Sequence, residues 1–287
     1  MIRYLILLSF VLLSTPVFAK KLPYIAQITI ETDIYNYSQD FINGRPLLEI
    51  TDYQGKNAQR DVVEFILIQQ ALLLGGLEIE FDFKQGNYDA RNLRLLEKGL
   101  LLLSFDSMWL TQAQKIEQQV YISDPLIEKG EYVAGIFTGV NNLDAQKIAS
   151  LGHLHQHSVV SSKDWIVDWQ TLEQLQPKKL LHESDWISMA KMVSRGWVDV
   201  MLIPFNAEFP FVYQGEGYQL TVVPNVKVAL NDSRHFLVSK QHPLGLEVYQ
   251  ALQKGLKILK ARGQIRKAYQ DAGFINPLVT SWQEISR

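Results

Sequence analysis

The chain has 287 residues, with 28 Lys and Arg against 30 Asp and Glu, and it contains no Cys. This length suits two lobes that each bury a core, and the near-neutral charge lacks the basic footprint of a nucleic-acid-binding protein. The absence of Cys excludes disulfides, thiolate metal sites, a Cys nucleophile and a lipid-modified N-terminal Cys.

The N-terminus has the pattern of a cleaved secretory signal. Arg3 precedes an apolar run from Leu5 to Leu13, and Val17 and Ala19 occupy the −3 and −1 positions of a cleavage site after Ala19. The apolar run is too short to cross the ~30 Å hydrocarbon layer of a bilayer. The sequence therefore predicts a signal peptide over residues 1–19 and a mature periplasmic protein that does not span the membrane.

Strand and helix signals alternate through the first half of the mature chain. Strands are predicted at Ile25–Tyr37, Leu47–Thr51, Leu77–Phe83 and Leu100–Phe105, and helices at Asn57–Gly75 and Asp89–Gly99. The continuous apolar run Leu100–Phe105 is typical of a strand that is buried on both faces of a parallel sheet. This alternation predicts an α/β lobe.

The alternation resumes in the second half and ends in helices. Strands are predicted at Val133–Val140, Ser158–Ser161, Leu180–Leu181, Trp197–Ile203, Tyr218–Val228 and His235–Ser239, and helices at Asp168–Leu175, Ser184–Gly196 and on both sides of Gly263. No Pro/Gly-rich linker interrupts the chain, so we expect ordered crossings between the lobes.

Three segments together resemble the family-3 extracellular solute-binding proteins. Leu93 to Pro125 is similar to a first lobe in which a helix, a strand and a Thr-containing loop lead to a crossing, here Ser123-Asp124-Pro125. Ser188–Phe205 is similar to a second-lobe helix, strand and return crossing, and Phe236–Phe274 to the closing strand and C-terminal helices.

The resemblance implies an α/β, two-lobed, type II periplasmic-binding-protein-like fold. Each lobe would be a mostly parallel sheet flanked by helices, with hinge crossings between the lobes. The implied first lobe comprises residues 20–134 plus 206–287, and the second lobe comprises residues 135–205. A ligand would bind in the cleft between them, at the carboxyl ends of the strands.

The departures from the family restrict the expected ligand. Members that bind free amino acids carry an Arg after the Thr loop and an acid after the second-lobe strand. Here Thr111–Glu117 contains no Arg, and Pro204 stands five residues after Asp199. The sequence therefore argues against an ordinary amino acid. It favours a small polar ligand, anionic where Lys163 supplies the charge that the missing Arg does not, or aromatic where Trp109 and Phe105 stack on it.

Candidate ligand-binding residues lie at predicted strand ends and crossings: Asp52, Tyr53, Phe105, Asp106, Ser107, Trp109, Ser161, Ser162, Lys163, Trp165, Phe205 and Asn206. Aromatic stacking and hydrogen bonding to hydroxyls, carboxylates and Lys163 are the chemistry they offer. Each has a structural alternative. Phe105 and Phe205 can pack in cores, Trp109 can cover a loop, Ser162 or Asp164 can cap a helix, and Asp52-Tyr53 can form a turn with Gly55.

The sequence predicts no metal site, no other cofactor and no catalytic residues. His153, His155 and His157 would share one face of a strand and could bind Zn or Cu there, although a polar loop explains them equally well.

The favoured function is a monomeric exported solute-binding protein for ABC-type uptake, with a small-molecule ligand and an inner-membrane permease as partners. A sensory binding module that serves a sensor protein is the first alternative. A periplasmic enzyme using Asp106 or Glu208 as acid or base is the second.

Overall fold

A computed structural model describes residues 24–86, 89–207 and 209–287, and no helix in these ranges is long and apolar enough to cross a membrane. The predicted signal peptide and Glu208 lie outside the described residues. The strands are β1 (Tyr24–Glu31), β2 (Ile79–Gly86), β3 (Met108–Trp109), β4 (Val120–Ile122), β5 (Val133–Gly139), β6 (Ser158–Ser161), β7 (Lys179–His182), β8 (Val200–Ile203), β9 (Val212–Gly215), β10 (Tyr218–Ala229), β11 (Arg234–His235), β12 (Leu237–Ser239) and β13 (Gln283–Glu284). The α-helices are α1 (Thr32–Ile42), α2 (Arg60–Gly75), α3 (Asp89–Glu97), α4 (Leu110–Ala113), α5 (Leu151–Leu154), α6 (Ile166–Leu175), α7 (Trp186–Ser194), α8 (Gly245–Ala261) and α9 (Gln264–Asp271). The 3₁₀ helices are Leu47–Glu49, Gln114–Ile116, Ala145–Lys147 and Pro277–Val279.

The larger sheet has the order β13-β10-β5-β8-β6-β7, with β9 paired to β10. It is mixed rather than mostly parallel, because β5 runs antiparallel to both β8 and β10. Successive residues of a strand point to opposite faces of the sheet. Val159 therefore packs in one core with Leu172 of α6, while Val160 packs in another with Met189 of α7. We call the unit built on this sheet the second lobe.

The first lobe is built from β1 and β2, which pair in parallel, and from the closely packed helices α2 and α8. A Cβ atom on Gly255 of α8 would lie 1.7 Å from the Ala71 carbonyl oxygen of α2, so only glycine allows this approach. Two short antiparallel pairs, β3 with β11 and β4 with β12, join the middle of the chain to its later part.

Two chain segments cross between the lobes side by side. Ile127 and Arg234 form an antiparallel bridge, the Leu230 N–H donates to the Tyr132 carbonyl at 3.2 Å, and Val133 then pairs with Ala229. The crossings thus form a two-stranded hinge.

The second lobe extends beyond the boundary that the sequence predicted at residue 205. Residues 212–229 form β9 and β10, which pair with each other and, through β10, with β5. Of the range 206–287, β11 and β12 pair with first-lobe strands. The sequence pattern missed this division because β-like runs carry no local mark of the sheet they join.

Several predicted elements differ in the structure. Leu100–Phe105 is an irregular segment with one isolated bridge from Leu103 to Val238, although Leu101–Phe105 are buried as expected. Ile25–Tyr37 divides into β1 and the start of α1, and Leu47–Glu49 is a 3₁₀ helix. Asn57 does not cap α2, because the helix begins at Arg60 and Asn57 has a φ of 65°.

Candidate functional site

Three of the predicted ligand-binding residues are core side chains. Tyr53 is fully buried, and its hydroxyl donates to Gln70 at 2.8 Å and accepts from Gln264 at 2.7 Å. Phe105 belongs to an aromatic cluster of the first lobe, and Phe205 packs in a core of the second lobe. Because none of these rings reaches a cleft, we remove all three from the candidate site.

The side chains of Asp52 and Asn206 form hydrogen bonds to nearby main-chain groups and do not line a pocket. The Asp52 carboxylate is exposed and accepts from the Gln54 N–H at 3.1 Å, which is the turn that the sequence offered as an alternative. The Asn206 side chain donates to the Val212 carbonyl at 2.9 Å, and its side-chain oxygen is buried without a partner in the described structure.

The segment between β6 and α6 has mainly local contacts. The Ser162 hydroxyl accepts from the Asp164 N–H at 3.1 Å, and the Lys163 ammonium lies 5.4 Å from the centre of the Trp169 ring. Trp165 packs against the core that contains Phe137. Ser161 is buried, and its hydroxyl has no partner among the described residues. This segment therefore contains one buried hydroxyl without a partner, that of Ser161, and the Lys163 ammonium lies over the Trp169 ring.

Ser107 and Trp109 are also buried, and with the neighbouring exposed Asp106 they lie around a buried carboxylate. Glu64 of α2 is fully buried and accepts from the Ser107 N–H at 2.7 Å and from the Ser107 hydroxyl at 2.5 Å. The Ser107 hydroxyl in turn accepts from Arg234 Nε at 2.8 Å, and Arg234 also donates to the Ser107 carbonyl. The Arg234 guanidinium covers the Trp109 ring at 4.7 Å from its centre.

A ladder of aromatic rings and guanidinium groups continues from Trp109 across the hinge. Trp109 lies 5.9 Å from Tyr132, which stacks on Phe274 with ring centres 4.2 Å apart. Arg60 then lies over Phe274 at 5.8 Å. Because Tyr132 belongs to a crossing and Phe274 follows α9, the ladder joins the hinge to the first lobe.

Glu64 also connects this row of rings and guanidinium groups to helix α9. The Tyr269 hydroxyl donates to Glu64 at 2.8 Å, and burial together with the Glu64 charge raises the pKa of Tyr269 well above its ordinary value. Arg60 pairs with Asp61 at 2.5 Å and lies 3.8 Å from Glu64. The two arginines and the two acids Asp61 and Glu64 thus balance in charge.

Two further carboxylates, those of Asp106 and Asp168, lie near these arginines in addition to Asp61 and Glu64. Asp106 has an exposed side chain, and no hydrogen bond from the described part of the chain reaches its carboxylate. The protein around it nevertheless displaces enough water to raise its pKa to about 6, against the opposing charge of Arg60. Asp106 is therefore a solvent-accessible carboxylate on which the charge of Arg60 acts and which no hydrogen bond from the described residues holds in place.

Asp168 approaches the same place from the second lobe. It lies in the first turn of α6 and is partly buried. Desolvation raises its pKa to about 6, while its own backbone N–H and then the charges of Arg234 and Arg60 act in the opposite direction. The charges of Arg234 and Arg60 act on Asp168, and the charge of Asp168 acts on the hinge residue Tyr132, so Asp168 lies within electrostatic range of the first-lobe cluster. We call Arg60, Asp106, Ser107, Trp109, Asp168 and Arg234 the interlobe site.

Sequence reasoning missed Arg60, Glu64, Asp168 and Arg234. Glu64 did carry a signal, because an acid within the apolar face of a helix is buried only when it is paired. Arg234 carried no such local signal, because its contact with Ser107 joins residues that are 127 positions apart in the sequence. The loop Thr111–Glu117 lacks an Arg as the sequence indicated, but Arg60 and Arg234 bring guanidinium groups to the site from other elements.

The three histidines do not form the strand face that the sequence considered. His153 lies in α5, and His155 and His157 follow in a turn. His155 Nε2 lies 3.0 Å from the Leu175 carbonyl, and His157 Nδ1 lies 2.9 Å from the His153 carbonyl. Within the described ranges, no group of three His, Asp or Glu side chains is arranged to hold a metal ion.

An open depression of about 350 Å³ lies on the first lobe, away from the interlobe site. Its walls include Tyr121 and Tyr249, whose rings stack 4.8 Å apart, and Lys240, which donates to the Glu117 carbonyl at 2.7 Å. The Lys240 ammonium is thus engaged with the protein itself. We therefore place the candidate site between the lobes.

Comparison with known proteins identifies the fold. No protein-family model and no curated protein sequence matches the chain. Solved structures do match, among them the probable amino-acid ABC transporter extracellular-binding protein ytmK of Bacillus subtilis, with a TM-score of 0.58 at 13% identity over 88% of this chain and 99% of that one.

Two further solved domains are similar as well. The GluR0 ligand-binding core of Nostoc punctiforme, in complex with L-glutamate, has a TM-score of 0.51 at 14% identity over 87% of this chain and 99% of that one. The periplasmic VFT2 domain of Bordetella pertussis BvgS has a TM-score of 0.52 at 14% identity over 72% of this chain and 82% of that one. The predicted two-lobed, periplasmic-binding-protein-like fold is thereby confirmed.

Proposed function

We propose that the protein is an exported binding protein that closes its two lobes on a small polar solute carrying a positively charged group. The observation that carries this proposal is the pair of carboxylates left over in the interlobe site, Asp106 from the first lobe and Asp168 from the second. Both carboxylates lie within electrostatic range of Arg60 and Arg234, and a cation bound beside either one would replace the water that this carboxylate loses.

The positive charge of the proposed ligand follows from the numbers of acidic and basic side chains in and around the interlobe site. The four carboxylates of Asp61, Glu64, Asp106 and Asp168 outnumber the guanidinium groups of Arg60 and Arg234. Arg60 Nη2 pairs with Asp61, while Arg60 Nη1 has no hydrogen-bond partner in the described structure, and Arg234 is held by Ser107 and Trp109. An added anion would meet Asp106 and Asp168 unpaired, whereas an added cation would pair with both. This reverses the anionic preference that we drew from Lys163, because Lys163 lies over Trp169.

The similar structures support a binding role rather than catalysis. They include a probable amino-acid ABC transporter extracellular-binding protein, a ligand-binding core in complex with L-glutamate and a periplasmic VFT2 domain. Uptake through an ABC-type permease is the role we favour, and delivery of a signal to a membrane sensor is the alternative. The predicted signal peptide supports a periplasmic location, and we propose a monomer. Genes for a permease and an ATPase beside the coding gene would favour uptake, and a sensor-kinase gene would favour signalling.

Thermal unfolding against charge-matched small molecules tests the ligand class. Each amine or guanidine compound is paired with an analogue of similar shape that is neutral or anionic. A ligand at about 100 times its Kd stabilises the folded protein by ~2.7 kcal/mol, which gives a clear rise in Tm. We expect rises only among the cationic members, and we expect Asp106→Asn to reduce them. Rises confined to anions would refute the proposed charge preference.

A further inference from the structure

The C-terminal segment connects the lobes a third time. Phe274 stacks on Tyr132 beside the first lobe, and at Gly273 a Cβ atom would lie 2.4 Å from the Ala207 backbone nitrogen. The chain then enters the second lobe, where β13 adds to β10 with Gln283 opposite Val226. We call residues 276–285 the C-terminal strap.

Buried apolar side chains anchor the strap to the second lobe. Val279 is fully buried in the core that contains Phe205 and Phe211. The Trp282 ring packs edge-on against the same two rings, at 5.5 and 5.9 Å between centres. Ile285 is also buried, with 2% of its surface exposed. Such anchors separate from a lobe only when apolar surface is exposed to water.

Hydrogen bonds anchor the same segment at both ends. Asn276 donates to the Asn206 carbonyl at 2.9 Å, and the Lys227 ammonium donates to the carbonyls of Val279 and Thr280 at 2.9 and 2.8 Å. The Ile285 N–H donates to the Lys227 carbonyl at 2.8 Å. The strap is therefore fixed along its length.

The position of the strap determines its mechanical effect. Two paired crossings alone allow rotation about one axis, because their few residues absorb the change in backbone angles. The strap lies along β10 on the side opposite β5, so that three segments pass between the lobes near the hinge. Rotation that opens the lobes must then move a segment that is tied to the first lobe through α9, where the Tyr269 hydroxyl donates to Glu64, and to the second lobe at Trp282.

We propose that the C-terminal strap limits how far the lobes open, so that the unliganded protein stays close to its closed form. The strap acts on the hinge whatever the cleft binds. Lobe separation measured without ligand therefore tests this proposal independently of the proposed function.

Pairs of spin labels can measure the separation directly, because the chain has no Cys to compete for labelling. Leu100 and Leu143 lie one in each lobe and are 68% and 66% exposed. The parent for the test is the full chain carrying Leu100→Cys and Leu143→Cys. The strap is then released by Trp282→Ala with Ile285→Ala. Leu278→Ala is the matched control, because Leu278 lies in the strap but is 56% exposed.

We expect the released variant to show a second population at longer distance, and the Leu278→Ala control to keep the parent distribution. Amide exchange at Ile285 reports whether the strap has detached. A released variant with an exchanging strap and an unchanged distance distribution would overturn the proposal. If the double substitution unfolds the protein, Lys227→Met replaces it, because this change removes two strap hydrogen bonds and keeps the apolar stem. A second population at longer distance in Lys227→Met then supports the proposal, and an exchanging strap with an unchanged distance distribution overturns it.

Discussion

Glu64→Gln is the substitution that most directly perturbs the support of the interlobe site. The carboxylate is fully buried, and it accepts hydrogen bonds from the Ser107 N–H, the Ser107 hydroxyl and the Tyr269 hydroxyl. An amide of the same shape turns one acceptor oxygen into a donor, so at least one of these contacts loses its acceptor. The substitution also removes a negative charge that lies 3.8 Å from Arg60 and that accepts from the same Ser107 hydroxyl that Arg234 contacts.

Both losses have known sizes. A buried polar group left without its partner costs about 1–3 kcal/mol. Removing one member of a buried charge network costs about 3–5 kcal/mol in all. We therefore expect Glu64→Gln to lower the free energy of unfolding by about 3–5 kcal/mol, a large part of the 5–15 kcal/mol that is typical of folded proteins.

Urea unfolding measures this loss as a shift in midpoint at constant slope. The matched control is Glu247→Gln, because Glu247 is an exposed acid in the first turn of α8 and its substitution should change stability by less than about 0.5 kcal/mol. A loss below about 1 kcal/mol in Glu64→Gln would refute the view that this carboxylate holds the site together.

Two further substitutions test the packing and electrostatics. Gly255→Ala places a methyl group against the Ala71 carbonyl, and we expect a loss of at least about 2 kcal/mol, with Gly152→Ala, whose nearest neighbouring atom is 3.9 Å away, as the tolerated control in the same unfolding assay. Asp168→Asn should stabilise the unliganded protein at pH 7 by about 1–2 kcal/mol, less than the full shift implies because the side chain is only partly buried. The folded-state pKa of Asp168 is raised from 3.8 to about 6, so the wild-type protein loses this stability as the pH rises through that window, and the advantage of Asn should vanish below about pH 4. An advantage of equal size at pH 3 and pH 7 would contradict this account.

The sequence predicted those parts of the fold that depend on local signals. The end of α2 was predicted from Gly75-Gly76, and Gly76 does adopt the left-handed conformation that closes the helix. The alternating acidic and apolar residues after Gly76 likewise predicted β2. Asp106, Ser107 and Trp109 were predicted to follow a strand over Leu100–Phe105, which is irregular in the structure, yet the burial of that segment still brings them into the interlobe site.

The remainder of the site depends on contacts between distant parts of the chain. Glu64 and Ser107 are 43 positions apart, and Glu64 and Tyr269 are 205 apart. Sequence periodicity describes one element at a time and does not specify which elements meet. The same limit explains why Tyr53 was assigned to a cleft, because its partners Gln70 and Gln264 come from two helices that pack around it.

Calorimetric titration of a cationic ligand identified in the thermal screen tests the central claim, that Asp106 and Asp168 together hold a positive charge between the lobes. The account predicts that affinity at pH 7.5 falls at least tenfold in Asp106→Asn and in Asp168→Asn. It also predicts that the wild-type protein loses affinity below pH 6 as these carboxyls take up protons. Wild-type affinity in both variants, with no change between pH 7.5 and pH 5, would contradict it.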